Sequence, residues 1–121
     1  MELTRICDVL SMMADIELGR AYDFAPVARL AMEEVRGALR EGVDENAHRE
    51  RLIYVAAAVA YYRYAVLEAA RERAATVKTG TVSVSTSPAD RIAAAKAVRD
   101  EFWGMAADLL TDRNFVFGQV K

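Results

Sequence analysis

Residues 52–70 read LIYVAAAVAYYRYAVLEAA, the most apolar stretch of the chain. Leu52, Val55, Val59, Tyr62, Val66 and Ala69 recur on a heptad spacing and make one continuous seam of a helix. Ile53, Ala56, Ala60 and Leu67 make a second apolar row. Two rows form a wide stripe, so the pattern predicts a central helix covered on more than one side. Arg63 and Glu68 interrupt the run. A membrane span needs about 20 apolar residues with few or no charges, so this helix is read as the core of a helical domain. Its alanines let neighbouring helices approach closely.

The helix extends on this reading from about residue 46 to 75, capped by Asp44 or Asn46, a length of roughly 45 Å. That is long for a chain of 121 residues. Its C-terminal end, carrying Glu68, Arg71, Glu72 and Arg73, is expected to project and to be solvated.

Two helices are expected before it. The first covers residues 3–18, with Leu3, Ile6, Val9 or Leu10, Met13 and Ile16 at helical spacing. Thr4 or Asp8 is its candidate cap, and Gly19 its stop. The second runs over about 24–41. Asp23 is its expected N-cap and Pro26 sits in its first turn, where backbone N–H groups have no helical partner. Val27 or Ala28, Leu30 or Ala31, Met32, Val35, Ala38 and Leu39 form its buried side. Arg29, Glu33, Arg36 and Arg40 share the other, where Glu33 can pair with Arg29 and Arg36. Gly42 ends it.

Residues 76–87, TVKTGTVSVSTS, break the helical pattern. Val82 and Val84 alternate with Thr81, Ser83 and Ser85, which predicts a short β-hairpin or extended loop turning near Thr79 and Gly80. An isolated hairpin is marginal in water. It must lie on the helices, pair with Phe115-Val116-Phe117, or pair with another chain through its open edge. Val77, Lys78, Thr79, Gly80, Thr81, Val82, Ser83, Val84 and Ser85 are therefore candidate interaction residues. Ser87-Pro88-Ala89-Asp90 then opens the last helix, about 88–111, with Ser87 as cap. Ile92, Ala95, Val98, Phe102, Met105 or Ala106, and Leu109 form its buried stripe. Arg91, Lys96, Arg99, Asp100, Glu101 and Asp108 are placed outside it, and Gly104 marks a close helix contact. Phe115 and Phe117, in the tail 114–121, either fold back on the helices or dock on a partner.

The expected fold is mainly α: a single four-helix domain over residues 1–121, with a long central helix and a short hairpin or extended loop before the last helix. Net charge is −2, which gives no general affinity for nucleic acid. Arg supplies all basic side chains except Lys78, Lys96 and Lys121. Arg is favoured at protein interfaces, though a GC-rich coding sequence also raises it. One cysteine, Cys7, excludes an internal disulfide framework. No signal-peptide pattern follows Met1, so the expected location is cytoplasmic, with no membrane.

Catalytic patterns are absent from the reading. A nucleophile–base arrangement needs a base near its nucleophile; the one histidine, His48, falls in the first turn of the central helix beside charged neighbours and is read as a surface residue, and the one cysteine is Cys7. Glu45-Asn46-Ala47-His48 has the spacing found in di-metal bundles, but it stands alone and at a helix end. The glycines are scattered, so neither phosphate-loop nor dinucleotide fingerprints occur. No cofactor, metal or enzymatic activity is expected. Tyr61, Tyr62 and Tyr64 cannot all face one core, and some are expected at a groove or a subunit contact.

Three stretches, AAAVAYYRYAVLEAA, VKTGTVSVSTSP and ADRIAAAKAVRDEFWGMAADLL, occur in an order that resembles the head–tail connector (adaptor) proteins of tailed bacteriophages and prophages. The resemblance covers roughly residues 24–112 and rests on pattern and order. It implies a non-enzymatic structural subunit of the phage neck that forms a homo-oligomeric ring on the portal. Its extended loop, residues 77–86, would reach a neighbour or another neck protein, first in the host cytoplasm and then in the virion. The tail from Asn114 to Lys121 has no place in that pattern. The alternative is a small helical homo-oligomeric interaction or regulatory module packing through the Tyr-rich helix.

Overall fold

The computed structural model describes residues 1–79 and 87–111, with side chains placed for 1–74 and 87–111. The fold is mainly α, as expected. Among the described residues five helices follow in order, the short α2 being additional to the four expected: α1 (Leu3–Ala14), α2 (Leu18–Asp23), α3 (Ala25–Gly37), α4 (Arg49–Thr79) and α5 (Pro88–Met105), with a 3₁₀ turn, Glu45–His48, leading into α4. α1, α3 and α5 pack on α4, and α2 bridges α1 and α3.

The central helix behaves as its two apolar rows require over its first half. Leu52, Ile53, Val55, Ala56, Ala57, Ala58, Val59 and Ala60 are all buried, so this segment is enclosed on every side. Beyond it the burial narrows to Ala65 and Ala69. Val66 and Leu67, assigned to the two rows, are 38% and 41% exposed. The 31 residues of α4 span about 46 Å, and past Ala69 residues 70, 71, 73 and 74 are exposed.

Several boundaries differ from expectation, each for a local reason. α1 stops at Ala14, not near Gly19, because Asp15 adopts a left-handed conformation (φ 56°), which Asp tolerates better than most residues. The Ser11 hydroxyl donates to the Ile16 carbonyl at 2.6 Å and closes that turn. Gly19 instead lies inside α2, and Asp23 ends α2 rather than capping α3. Neither Thr4 nor Asp8 caps α1, whose N-cap is Glu2. α3 ends at Gly37 and α5 at Met105, both earlier than expected. Gly42 takes φ 86° in the turn after α3. Two start signals are realised: Ser87 Oγ accepts from the Asp90 N–H at 3.1 Å, and Asp44 Oδ1 accepts from the Asn46 N–H at 3.1 Å.

The extended loop expected over 76–87 is corrected at its start: residues 76–79, with Val77, Lys78 and Thr79, continue α4. β-branched side chains cost a helix only tenths of a kcal/mol each, too little to end one already formed. No strand occurs among the described residues, and the hairpin turn and strand expected at Gly80–Ser85 fall outside them.

The chain segments after α3 and α5 meet in a single antiparallel bridge between Leu39 and Leu110. The Arg40 N–H donates to the Leu109 carbonyl at 2.8 Å, and the Thr111 N–H donates to the Ala38 carbonyl at 2.7 Å. Trp103, buried on α5, adds an indole N–H bond to the Thr111 carbonyl at 3.4 Å. This knot closes one end of the bundle.

Candidate functional site

The half of α4 beyond residue 60 is where apolar and charged side chains remain at the surface. It has a polar cleft towards α1 and α5 and an apolar groove towards α3.

The polar cleft, about 280 Å³, is lined by Tyr61, Tyr64, Glu68, Glu72, Asp90 and Arg91 among others. Glu68 pairs with Arg20 of α2 at 2.7 Å and with Arg71 at 2.9 Å. Arg20 Nε donates to the Tyr64 hydroxyl at 3.3 Å. Arg20 and Arg71 also lie over the Phe24 ring, at 5.9 and 5.4 Å from its centroid, and Tyr64 meets that ring edge-on at 4.8 Å. One turn further on, Arg91 of α5 pairs with Glu72. Glu68 and Glu72 of the cleft are thus engaged by arginines, and the network acts as a brace holding the outer part of α4 against α2 and α5. Each exposed pair alone is worth at most about 1 kcal/mol; the aromatic contacts give the brace its shape.

The apolar groove lies between α3 and α4, also about 280 Å³, lined by Val27, Leu30, Tyr62, Arg63, Val66 and Leu67. Its origin is a choice that α3 makes. Where the pattern allowed Val27 or Ala28 and Leu30 or Ala31, the alanines take the core and Leu30 is left 62% exposed. Small side chains at the contact permit a close helix approach, and the larger neighbours are displaced to its rim. Arg63 pairs with Glu34 at the groove edge.

Arg99 was placed on the solvated side of α5 by its charge, and the structure corrects this. It is 4% exposed, on the same stripe as Ala95 and Trp103. Its guanidinium lies over the Tyr62 ring, and its Nε donates to Asp100 at 3.2 Å. Met105, offered as an alternative to Ala106 in the stripe, is 58% exposed while Ala106 is buried. Gly104 faces open space and marks no close contact.

The Tyr triplet divides as its spacing required: Tyr61 and Tyr64 pack on the core margin, and Tyr62 faces Arg99 and the groove. On α3, Arg36 pairs with Glu45 rather than Glu33, at 3.0 Å, and Arg40 donates to the Ala107 carbonyl at 3.1 Å. Glu45 also meets the Met1 ammonium; these cations hold its carboxyl down at about 2. His48 is half-buried, and no group of three metal-binding side chains occurs among the described residues. Burial, with the Asp8 charge second, pushes the Cys7 thiol up.

Of the candidate interaction residues, Val77, Lys78 and Thr79 form the last turn of α4. Gly80, Thr81, Val82, Ser83, Val84, Ser85, Phe115 and Phe117 lie outside the described residues. The apolar window of α4 is long and apolar enough, by length and composition, to cross a membrane, with mean hydropathy 1.2, but 61% of it is buried within this bundle. Comparison with protein-family models, with curated proteins and with solved structures gave no match.

Proposed function

We propose that this chain is a non-enzymatic assembly subunit of a phage or prophage neck, of the head–tail connector kind, which joins copies of itself and other neck proteins such as the portal. The observation that supports this reading is the braced extension of α4. Residues 70–74 of α4 follow its last buried residue, Ala69, yet this stretch is held by Arg20–Glu68–Arg71 and Arg91–Glu72. The chain between α4 and α5 carries the sequence Thr-Val-Ser-Val-Ser at residues 81–85, and an arm built of these two helices would offer it to a partner. An alternating, β-branched sequence of this kind suits strand addition to a neighbouring chain. On this reading the protein acts in the host cytoplasm during assembly and then in the virion, without cofactor or membrane.

Deleting residues 78–85 tests it. The shortened chain should keep its helical circular dichroism and lose co-assembly with its portal or with its own copies. Loss of the fold itself would place those residues in the core and remove the arm from the argument. Neighbouring genes for portal, capsid and tail proteins are expected; a neighbourhood with none of them would sink the phage reading.

A second reading, a small homo-oligomeric interaction module, is favoured by one observation: Tyr62, Val66 and Leu67 on the Tyr-rich helix border an open apolar groove. It predicts a concentration-dependent dimer in solution that Leu67→Lys disrupts.

A further inference from the structure

The apolar groove between α3 and α4 has an occupant in the same chain. We propose that the C-terminal segment beyond Thr111 runs back along α3 and seats Phe115 and Phe117 in the groove formed by Val27, Leu30, Tyr62, Val66 and Leu67. This goes beyond the assembly reading and uses none of residues 78–85.

Anchorage is the first argument. The bridge of Leu39 with Leu110 is antiparallel, and Thr111 stands opposite Ala38 through its N–H bond to the Ala38 carbonyl at 2.7 Å. The two bridge bonds and the Trp103 indole on the Thr111 carbonyl hold Thr111 beside the C-terminal end of α3, so the segment that follows is tethered there.

Reach is the second. Ala38, Glu34, Leu30 and Val27 follow one ridge of α3 at spacings of four, four and three. Leu30 lies about 12 Å and Val27 about 17 Å along that ridge from Ala38, at 1.5 Å per residue. A chain extended at roughly 3.3 Å per residue places Phe115 about 13 Å and Phe117 about 20 Å beyond Thr111. The two rings lie two residues apart and so share one face of an extended segment.

Size and chemistry are the third. A dry cavity of roughly 150 Å³ accepts a benzene ring, and the groove holds about 280 Å³, room for two rings. Its walls are aliphatic and aromatic, apart from the Arg63–Glu34 pair at its edge. Attachment at Thr111 gives the segment an effective concentration in the mM range, ahead of the same segment on a second copy at micromolar protein.

A cysteine pair tests the assignment in the full-length chain. Leu30→Cys with Phe117→Cys, oxidised at micromolar concentration as an equal mixture of isotopically light and heavy protein, should give a 30–117 disulfide within single chains. Met12→Cys with Phe117→Cys, on exposed α1, should not link. Mixed light–heavy 30–117 links would assign the groove to a second copy and overturn the proposal, as would absence of the 30–117 link. Should the cysteine variant fail to fold, methyl NMR decides. The Leu30, Val66 and Leu67 methyls should be shifted upfield by the rings and move back in Phe115→Leu/Phe117→Leu; unshifted methyls, or shifts unchanged in that variant, reject it. Deletion of 78–85 leaves this groove untouched, so this result and that of the arm can fail separately.

Discussion

The guanidinium of Arg99 lies 4.2 Å from the centroid of the Tyr62 ring, joining α5 to α4 where the fully enclosed half of the central helix gives way to the braced half. A cation withdrawn from water is costly unless it is engaged. Here the ring face and Asp100 engage it, and desolvation strengthens a cation–π contact to about 2 kcal/mol.

Arg99→Ala should therefore destabilise the protein by about 2–4 kcal/mol, through lost packing of the side-chain stem as well as the lost contact. Arg99→Met keeps the stem and removes the charge, and should recover at least half of that loss, because apolar replacements of buried ions are often tolerated. Urea unfolding of the three proteins measures both. Equal loss in the two variants would mean that the charge, not the stem, carries the effect.

The alanines of α4 are expected to be the least replaceable positions in the core. Ala57 and Ala60 are fully buried, and the close approach of the neighbouring helices leaves no room for growth. Ala57→Leu should cost about 1–3 kcal/mol by overpacking. Ala70→Leu, on the exposed side of the same helix, should stay within about 0.5 kcal/mol. Thermal unfolding of the pair gives the contrast; similar midpoints would contradict the packing argument.

Stability should fall in acid partly through Glu45. Its carboxyl is held at about 2, chiefly by hydrogen bonds from Arg36 and then by the Met1 ammonium, against 4.5 ordinarily. A carboxyl lowered in the folded state stabilises fully above its unfolded value, and the contribution is lost as pH falls from about 4.5 towards 2. Arg36 is 40% exposed, so solvent screening reduces the contribution to on the order of 1 kcal/mol. Glu45→Gln should thus be less stable than the parent at pH 7, and the gap should narrow by pH 3. Denaturant titrations at the two pH values test this, and a constant gap would exclude Glu45 as the titrating group.

Leu110→Ala probes the knot that ties the end of α5 to the end of α3. Leu110 is 1% exposed, and its truncation should cost about 2–5 kcal/mol. The loss should appear in both folding cooperativity and protection of the Arg40 amide. An unprotected Arg40 amide already in the parent would show that the bridge does not persist in solution.

The sequence made the helical class, the enclosed central helix and the start of α5 legible, because each depends on neighbours in the chain: the apolar rows of 52–60, and Ser87 before Pro88. What escaped it depends on partners distant in sequence. Arg99 read as a surface charge because nothing near it announces Tyr62. The alanines of α3 were not separable from Val27 and Leu30 until α4 was in place, and so the groove had no signal of its own. Asp15 ended α1 where a glycine was expected four residues later, a choice that periodicity does not encode. Thr76, Val77 and Thr79 read as strand because β-branched residues favour it, yet a helix already running carries them. The interaction residues chosen at 80–85, 115 and 117 lie outside the described residues.

The uneven burial of α4 also sets how the molecule opens. Backbone amides of residues 52–60 are covered on all sides and should exchange with solvent deuterium only when the whole chain unfolds. Amides of residues 70–74 are covered by a brace of ion pairs and should exchange through local opening at much lower free energy. One helix would then contain two kinetic regimes with no break in its hydrogen bonding. A partner that remodels the outer turns would meet little resistance, and the energy it spends there would not be drawn from the core.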